Sequence, residues 1–319
     1  MDLKDLQKII GGYWASRAIL TAVELDLPTL IQRGAETPGA LSKASGVNAR
    51  GLDALLPVLL NLGLIEHNGT GLRLTETGRL LSREQPGNIV GFLRHQLNLW
   101  HKWNRLTESV RSGLPVEAPF DTESFILAME QGKAAPARDY FAGLDLSGVR
   151  RVLDLGGGPG TFAAGFAEVL PVADVTLFDH PEVLAIARTR LPASLTASSR
   201  FHLLPGDFTR DPIGADYNLI WVSAIVHSYG PEDTLALLKT CRHALAKGGR
   251  LVVRDFLLKA DGSGHPFAAL FALNMLVNTA GGKVYRVDEV RGLLKQAGFG
   301  SVEIVPSPEN TWLAVAKTE

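Results

Sequence analysis

Periodicity in the sequence predicts a chain of two parts. A helical N-terminal region closes with the outline of a winged helix, and an α/β half follows, built on a mostly parallel sheet. Three observations carry this. Apolar residues recur at helical spacing through the first part, interrupted by one hairpin pattern around Asn68 and Gly69. From Val149 the pattern changes to short β-rich runs alternating with helical ones: RVLDL, DVTLF, RFHLL, YNLIWV and RLVVRDF. Finally, SVEIVPS and TWLAVAK are separated only by Pro308, Glu309 and Asn310, too short a link for a crossover helix, so these two strands pair antiparallel.

Taken in order, Lys4 to about Asp26 reads as one helix whose residues Leu6, Ile9, Ile10, Trp14, Ile19, Leu20 and Val23 form a wide apolar stripe that something must cover. TPGALSKASGV is a short helix opened by Thr37 and Pro38, and a turn through Asn48 leads to a second helix from Ala49. Two helices joined by a tight turn and followed by the EHNGTGLRL hairpin complete the winged helix. The expected boundaries are residues 1–90 for this domain, 91–148 for a helical connector and 149–319 for the sheet domain.

Composition removes several function classes. The chain has 319 residues, a 46% hydrophobic content and a net charge of −1, so nothing global recruits it to nucleic acid or to acidic membranes. Through residue 90 bases and acids are equal in number, and the second helix of the turn motif offers only Arg50 and Asp53 before a run of aliphatics. Groove reading needs several cationic or amide side chains there, so the winged helix is read as a dimerisation module rather than a DNA reader. The single cysteine, Cys241, excludes an internal disulfide and any cysteine-built zinc site. No metal is expected. MDLKDLQKII has neither a signal-peptide core nor a basic leader, and the longest apolar run, Phe267 to Val277, is far short of the roughly 20 residues that span a bilayer. Cytoplasm is the expected compartment.

The chemistry concentrates at the end of the first sheet strand. VLDLGGGPGTF runs a strand into a turn containing Gly156, Gly158 and Gly160 and then into a helix, a cradle for a polar or anionic ligand group. Gly158, Gly160 and Ala163 also satisfy the dinucleotide fingerprint, so the loop alone leaves a nicotinamide dehydrogenase open. Asp179 closes the second strand, where a carboxylate can accept from two ribose hydroxyls. After the third strand comes PGDF, where Asp207 and Phe208 could hold an adenine by its amino group and flank its ring. A dehydrogenase usually places a substantial domain after its cofactor domain, whereas the remainder here only finishes one sheet, so the cover over a substrate is expected from the N-terminal half. Together these favour an adenosyl ligand.

With these motifs the chain resembles a class I S-adenosylmethionine-dependent methyltransferase of the plant-caffeate and acetylserotonin O-methyltransferase type, which in bacteria includes pigment and antibiotic tailoring enzymes. The resemblance runs from the winged helix through FILAMEQ and LDLSGVRRVLDLGGGPG to the last hairpin. It implies a Rossmann-like, seven-stranded mixed sheet and a homodimer formed through the N-terminal domain. It also implies that Asp154, Gly156, Gly158 and Gly160 wrap the methionine part of S-adenosylmethionine, whose product is S-adenosylhomocysteine. By the same resemblance Asp179 binds the ribose, Asp207 and Phe208 the adenine, and Ser223 contacts the cofactor four positions before the catalytic histidine. That histidine is His227 in WVSAIVHSYGPED, with Ser228 and Tyr229 replacing the family's acid and tryptophan. An imidazole takes a proton from a hydroxyl near neutral pH, which suits it to general base catalysis.

Two departures bear on mechanism. Where plant relatives place an orienting glutamate after Gly-Gly-Lys this chain has Val284, and where bacterial relatives read Asp-Leu-Asn-Met-Leu it has Ala272. Methyl transfer to a hydroxyl oxygen is the leading expectation. Transfer to carbon, nitrogen or sulfur, a non-methylating relative, and a cofactor-sensing winged-helix regulator are the alternatives. The acceptor is expected to be small, flat and hydrophobic, held by Trp100, Trp103, Phe125, Met129, Asn274, Met275 and Asn278.

Overall fold

A computed structural model describes residues 1–131 and 135–318 of the chain, in two compact units. One comprises Met1–Trp100 with the segment from Phe120 through the helix Thr122–Gln131; the other comprises His101–Pro119 with the chain beyond residue 134.

In the first unit, the helices Leu3–Gly11 and Tyr13–Glu24 carry the apolar stripe, which the sequence reading gave to one helix. The helix reading fails at Gly11 and Gly12, where two residues without side chains weaken the helical run. Ile9, Ile10 and Trp14 remain more than 60% exposed. A third helix, Leu27–Gln32, has no counterpart in the periodicity analysis; it follows Asp26, held at φ +57°, and takes Pro28 in its first turn. Pro38–Ser45 and Ala49–Asn61 form the anticipated pair, their caps made by Thr37 Oγ1, which accepts from Ala40 N, and Asn48 Oδ1, which accepts from Arg50 N. Strands β1 (Ile65–Asn68) and β2 (Gly71–Leu74) are the wing, turning at Gly69 with φ +60°. Leu27, Leu41, Leu52 and Leu59 sit at the centre of this unit's core.

In the second unit, seven strands form one sheet: β3 (Arg151–Leu155), β4 (Asp174–Asp179), β5 (Phe201–Pro205), β6 (Tyr217–Ser223), β7 (Leu245–Asp255), β8 (Ser301–Ser307) and β9 (Thr311–Lys317). Their spatial order is β5-β4-β3-β6-β7-β9-β8. All neighbours are parallel except β7–β9 and β8–β9, so the sheet ends in the antiparallel hairpin the short link required. The order reverses between β3 and β6, and ligands of open α/β sheets bind beyond the carboxyl ends of strands at such a reversal.

Apolar residues cover both faces. Leu153, Leu155, Ile220, Val222 and Val253 face one core, which includes the buried Cys241 on the helix Pro231–Ala244. Val152, Leu219, Trp221 and Val252 face the other, with Phe141, Phe162 and Phe166. Among the described residues no helix is long and apolar enough to cross a membrane.

Candidate active site

The cradle is assembled from four strand ends. Asp179 closes β4 with Oδ2 accepting the Gly158 N–H at 2.8 Å and Oδ1 accepting the His180 N–H at 2.8 Å. Burial pushes its carboxyl above the ordinary aspartate range, against the pull of these two amides. Gly158 turns at φ +58°, where a side chain is disfavoured. Gly156 turns at φ +67° and lies so near Ile225 that a Cβ would stand 2.6 Å from its Cδ1 and 3.5 Å from the Phe208 ring. The loops after β3, β5 and β6 therefore meet here. Phe208 also packs edge-on against Tyr229, their centroids 5.9 Å apart.

Two residues of the expected cofactor set sit differently from the rest. Asp154 is fully buried beneath the loop, its Oδ2 accepting the Ala163 N–H at 2.8 Å, so it ties the strand to the following helix from behind. Asp207 is engaged locally: Oδ1 accepts from Thr209 N and Oγ1, and Oδ2 pairs with Arg210 at 2.7 Å. The Thr209 hydrogen bonds, with lesser help from Arg210, pull its pKa down to about 2. Gly160 starts the helix Thr161–Val169 at φ +81°.

After β6 the chain turns through Ala224, a non-glycine residue at φ +58°, a conformation costing about 1 kcal/mol or more and held by the Ala224 N–H donating to Arg254 O at 2.9 Å. The turn sets His227 in a single 3₁₀ turn, Val226–Ser228, and buries it to 8% exposure. There its Nδ1 lies 2.7 Å from Asp255 Oδ1, and its backbone N–H donates to Asp255 Oδ2 at 3.2 Å. Asp255 is itself 1% exposed and also accepts the Phe256 N–H.

This arrangement has a chemical consequence. A carboxylate on Nδ1 keeps the proton on that nitrogen and leaves Nε2 with a free lone pair, the tautomer of a general base. The orienting acid is thus neither at Ala272 nor at Val284, which is an apolar residue 5% exposed, but at the carboxyl end of the neighbouring strand. Sequence reasoning missed Asp255. The signal was present: it is an acid closing an apolar strand that pairs with the strand leading to His227.

Phe271 stands edge-on to the His227 ring, centroids 4.8 Å apart, and packs with Phe256 and Phe267. Three acceptor candidates meet in the second unit: Trp103 Nε1 donates to Asn274 Oδ1 at 2.9 Å, and Asn278 Nδ2 donates to the same oxygen at 3.0 Å. Met275, on the same helix (Pro266–Asn278), is buried. Trp100, Phe125 and Met129 belong to the first unit, where Trp100 packs on Tyr13 and Phe125 lies between His95 and Phe120.

Ser223 contacts a different cluster. Its Oγ accepts from Arg254 Nη1 at 3.2 Å, while Arg254 Nη2 pairs with Glu309 at 3.1 Å and the guanidinium lies over the Tyr140 ring at 4.5 Å. Burial raises the Tyr140 phenol and lowers the Arg254 guanidinium. Among the described residues no cluster of His, Cys, Asp or Glu is placed to hold a metal ion.

Known proteins resemble the chain over nearly its whole length. The model of the O-methyltransferase domain matches residues 114–300, and that of the O-methyltransferase dimerisation domain matches residues 7–84. The chain is 30% identical to the tetracenomycin polyketide synthesis 8-O-methyl transferase TcmO of Streptomyces glaucescens, over 98% of this chain and 96% of that protein. It is 29% identical to the acetylserotonin O-methyltransferase of Macaca mulatta, over 92% and 91%. The solved structure of PigF with SAH superposes at a TM-score of 0.88, at 23% identity and over the whole of both chains.

Proposed function

The chain belongs to the O-methyltransferase family, and we propose that it transfers a methyl group from S-adenosylmethionine to the hydroxyl oxygen of a flat, aromatic small molecule with His227 as general base. The observation that carries the reading is the His227–Asp255 pair, whose open Nε2 stands at the strand ends beside the glycine cradle.

The residues of the cradle fit the cofactor. Glycines at Gly156 and Gly158 let backbone approach its amino-acid part, and Asp179 offers acceptor capacity to ribose hydroxyls beyond the two amides it already binds. Phe208 and Tyr229 offer ring faces for the adenine. S-adenosylmethionine supplies a methyl group already activated on a sulfonium. The protein's tasks are to align the acceptor oxygen, where positioning supplies about 7–11 kcal/mol of barrier reduction, and to remove its proton. His227 takes that proton on Nε2 while Asp255 holds Nδ1–H and stabilises the imidazolium that forms.

The relatives support transfer to oxygen, which the names of TcmO and of the Streptomyces cremeus 3-amino-4-hydroxybenzoate 4-O-methyltransferase both specify, and the hydroxybenzoate of the second supports an aromatic acceptor. The homodimer is supported by the match to the dimerisation domain and by the exposed stripe of Ile9, Ile10 and Trp14, which a second copy would cover.

The test is incubation of purified protein with S-adenosylmethionine and a panel of hydroxylated aromatics, read by mass spectrometry and NMR. A product heavier by one CH₂ and carrying an O-methyl resonance is expected. A methyl found on carbon or nitrogen overturns the oxygen assignment.

A further inference from the structure

The 3₁₀ turn that carries His227 is too short to hold itself. Its own backbone supplies Ser228 N–H to Ile225 O at 3.0 Å and Tyr229 N–H to Val226 O at 3.2 Å. Carbonyls at its end are answered by a segment more than 50 residues further on: Lys283 N–H donates to His227 O at 2.9 Å, and the Tyr285 hydroxyl donates to Tyr229 O at 2.9 Å. The segment lies flat on the turn, since a Cβ on Gly282 would stand 2.5 Å from His227 O and 3.0 Å from the Ser228 carbonyl carbon.

The direction of the tyrosine's bonds is fixed by chemistry. A carbonyl only accepts, so the single phenolic proton goes to Tyr229 O. The Thr234 hydroxyl, 3.0 Å from the Tyr285 oxygen, is therefore the donor to it. Thr234 stands in the first turn of the helix Pro231–Ala244, and it and Tyr285 are both buried, so water does not compete for these bonds. Burial also pushes the Tyr285 phenol above its ordinary value, which keeps the donated proton in place.

The relay ends on a residue of the cradle. The Tyr229 ring packs on Phe208, and burial together with the negative charges of Asp207, Asp233 and Asp179 raises its phenol, which sets the ring among the acids around the glycine loop. We propose that Tyr285 is a positioning residue for the cofactor: its hydroxyl, aimed by Thr234, pins the Tyr229 carbonyl and so fixes the ring that flanks the adenine. This rests on the reading of Tyr229 as an adenine wall. The same bond closes the far end of the His227 turn, so one buried hydroxyl sets the cofactor side of the site and steadies the base. Phenylalanine at position 285 fills nearly the same space but leaves a buried carbonyl and a buried threonine hydroxyl unanswered.

The test is calorimetric titration of S-adenosylhomocysteine into the full-length protein, with amide hydrogen exchange followed alongside. Tyr285→Phe should weaken binding about tenfold, the scale of one lost buried hydrogen bond. Exchange across residues 226–229 should quicken while β3 and β4 keep wild-type protection. Thr234→Val should act in the same direction by about threefold, because the phenol keeps its bond to Tyr229 but loses the group that aims it. Tyr229→Leu should by itself cost about tenfold or more, the scale of one base–aromatic stack, and adding Tyr285→Phe to it should cost nothing further. A tyrosine with only a structural role would cost the same in either background. Wild-type affinity in Tyr285→Phe, or an equal further loss in the Tyr229→Leu background, overturns the proposal. Unchanged affinity in Tyr229→Leu overturns the adenine assignment itself, and this role with it, whereas a loss there that Tyr285→Phe does not share overturns the role of Tyr285 alone.

Discussion

Arg254 and Asp255 are consecutive residues of one strand, both buried, and their side chains leave opposite faces of the sheet. On one face Asp255 meets His227 and consumes one ring nitrogen, leaving the other open. On the other, Arg254 is held by Ser223, Glu309 and the Tyr140 ring, a knot that ties the turn of the last hairpin to the end of β6. The difference teaches what buried charge is for in each place. A pair with an unspent lone pair at a strand end is open to the chemistry proposed for it, whereas a charge whose partners surround it is spent on architecture.

The sharpest break between the two comes from His227→Ala. General bases contribute about two to four powers of ten, so kcat should fall by about 10²–10⁴ while S-adenosylhomocysteine affinity and the melting temperature stay close to wild type. Asp255→Asn should reproduce much of that loss, because an amide holds the ring without stabilising the imidazolium. Near-normal turnover in either variant would place the proton's destination elsewhere.

Arg254 should show the opposite phenotype. Arg254→Met takes the buried cation from Glu309, whose side chain is 24% exposed, so solvent screening holds the cost below the ~3–5 kcal/mol of a fully buried pair. Thermal or urea unfolding should report that loss. The double variant Arg254→Met with Glu309→Gln should recover most of it, since the uncompensated charge is gone. Turnover per folded molecule is expected to stay within a few-fold in both. A collapse of kcat at full stability would make Arg254 part of the reaction and dissolve the contrast.

How far this contrast was legible beforehand follows from where each partner sits. Every sheet strand announced itself as a β-rich run, the antiparallel finish followed from a three-residue link, and His227 was picked out by its place after the fourth sheet strand. Asp255 was not picked out because it lies 28 residues along the chain, and local periodicity carries no record of which acid a neighbouring strand delivers. Arg254 and Glu309 were hidden for the same reason, 55 residues apart. The first helix was read too long because hydrophobic spacing continues across Gly11 and Gly12, whose backbone freedom the apolar pattern does not register. What escaped was the pairing of distant groups, and it escaped because side-chain reach is set by tertiary folding.

The same contrast recurs more weakly in the cradle, between Asp179 and Asp207. Burial holds the Asp179 carboxyl above its ordinary range, so it gains its proton first as the pH falls; Thr209 holds Asp207 down to about 2, so it stays ionised throughout mild acid. For Asp207 the depressed value stabilises the fold above the unfolded pKa of about 3.9 and is lost as the pH falls toward 2. For Asp179 the raised value works the other way: the buried charge costs stability at neutral pH, and protonation relieves that cost while removing the acceptor proposed for the ribose. Asp179→Asn should therefore weaken S-adenosylhomocysteine binding by about 1–3 kcal/mol at neutral pH and flatten its dependence on the acid side, above the ordinary aspartate pKa of about 3.9. Asp207→Asn should cost less affinity and leave that acid limb in place, because its carboxylate is already spent on Thr209 and Arg210. Calorimetric titrations of both variants across that range decide it, and an acid limb that survives Asp179→Asn assigns the proton to another group.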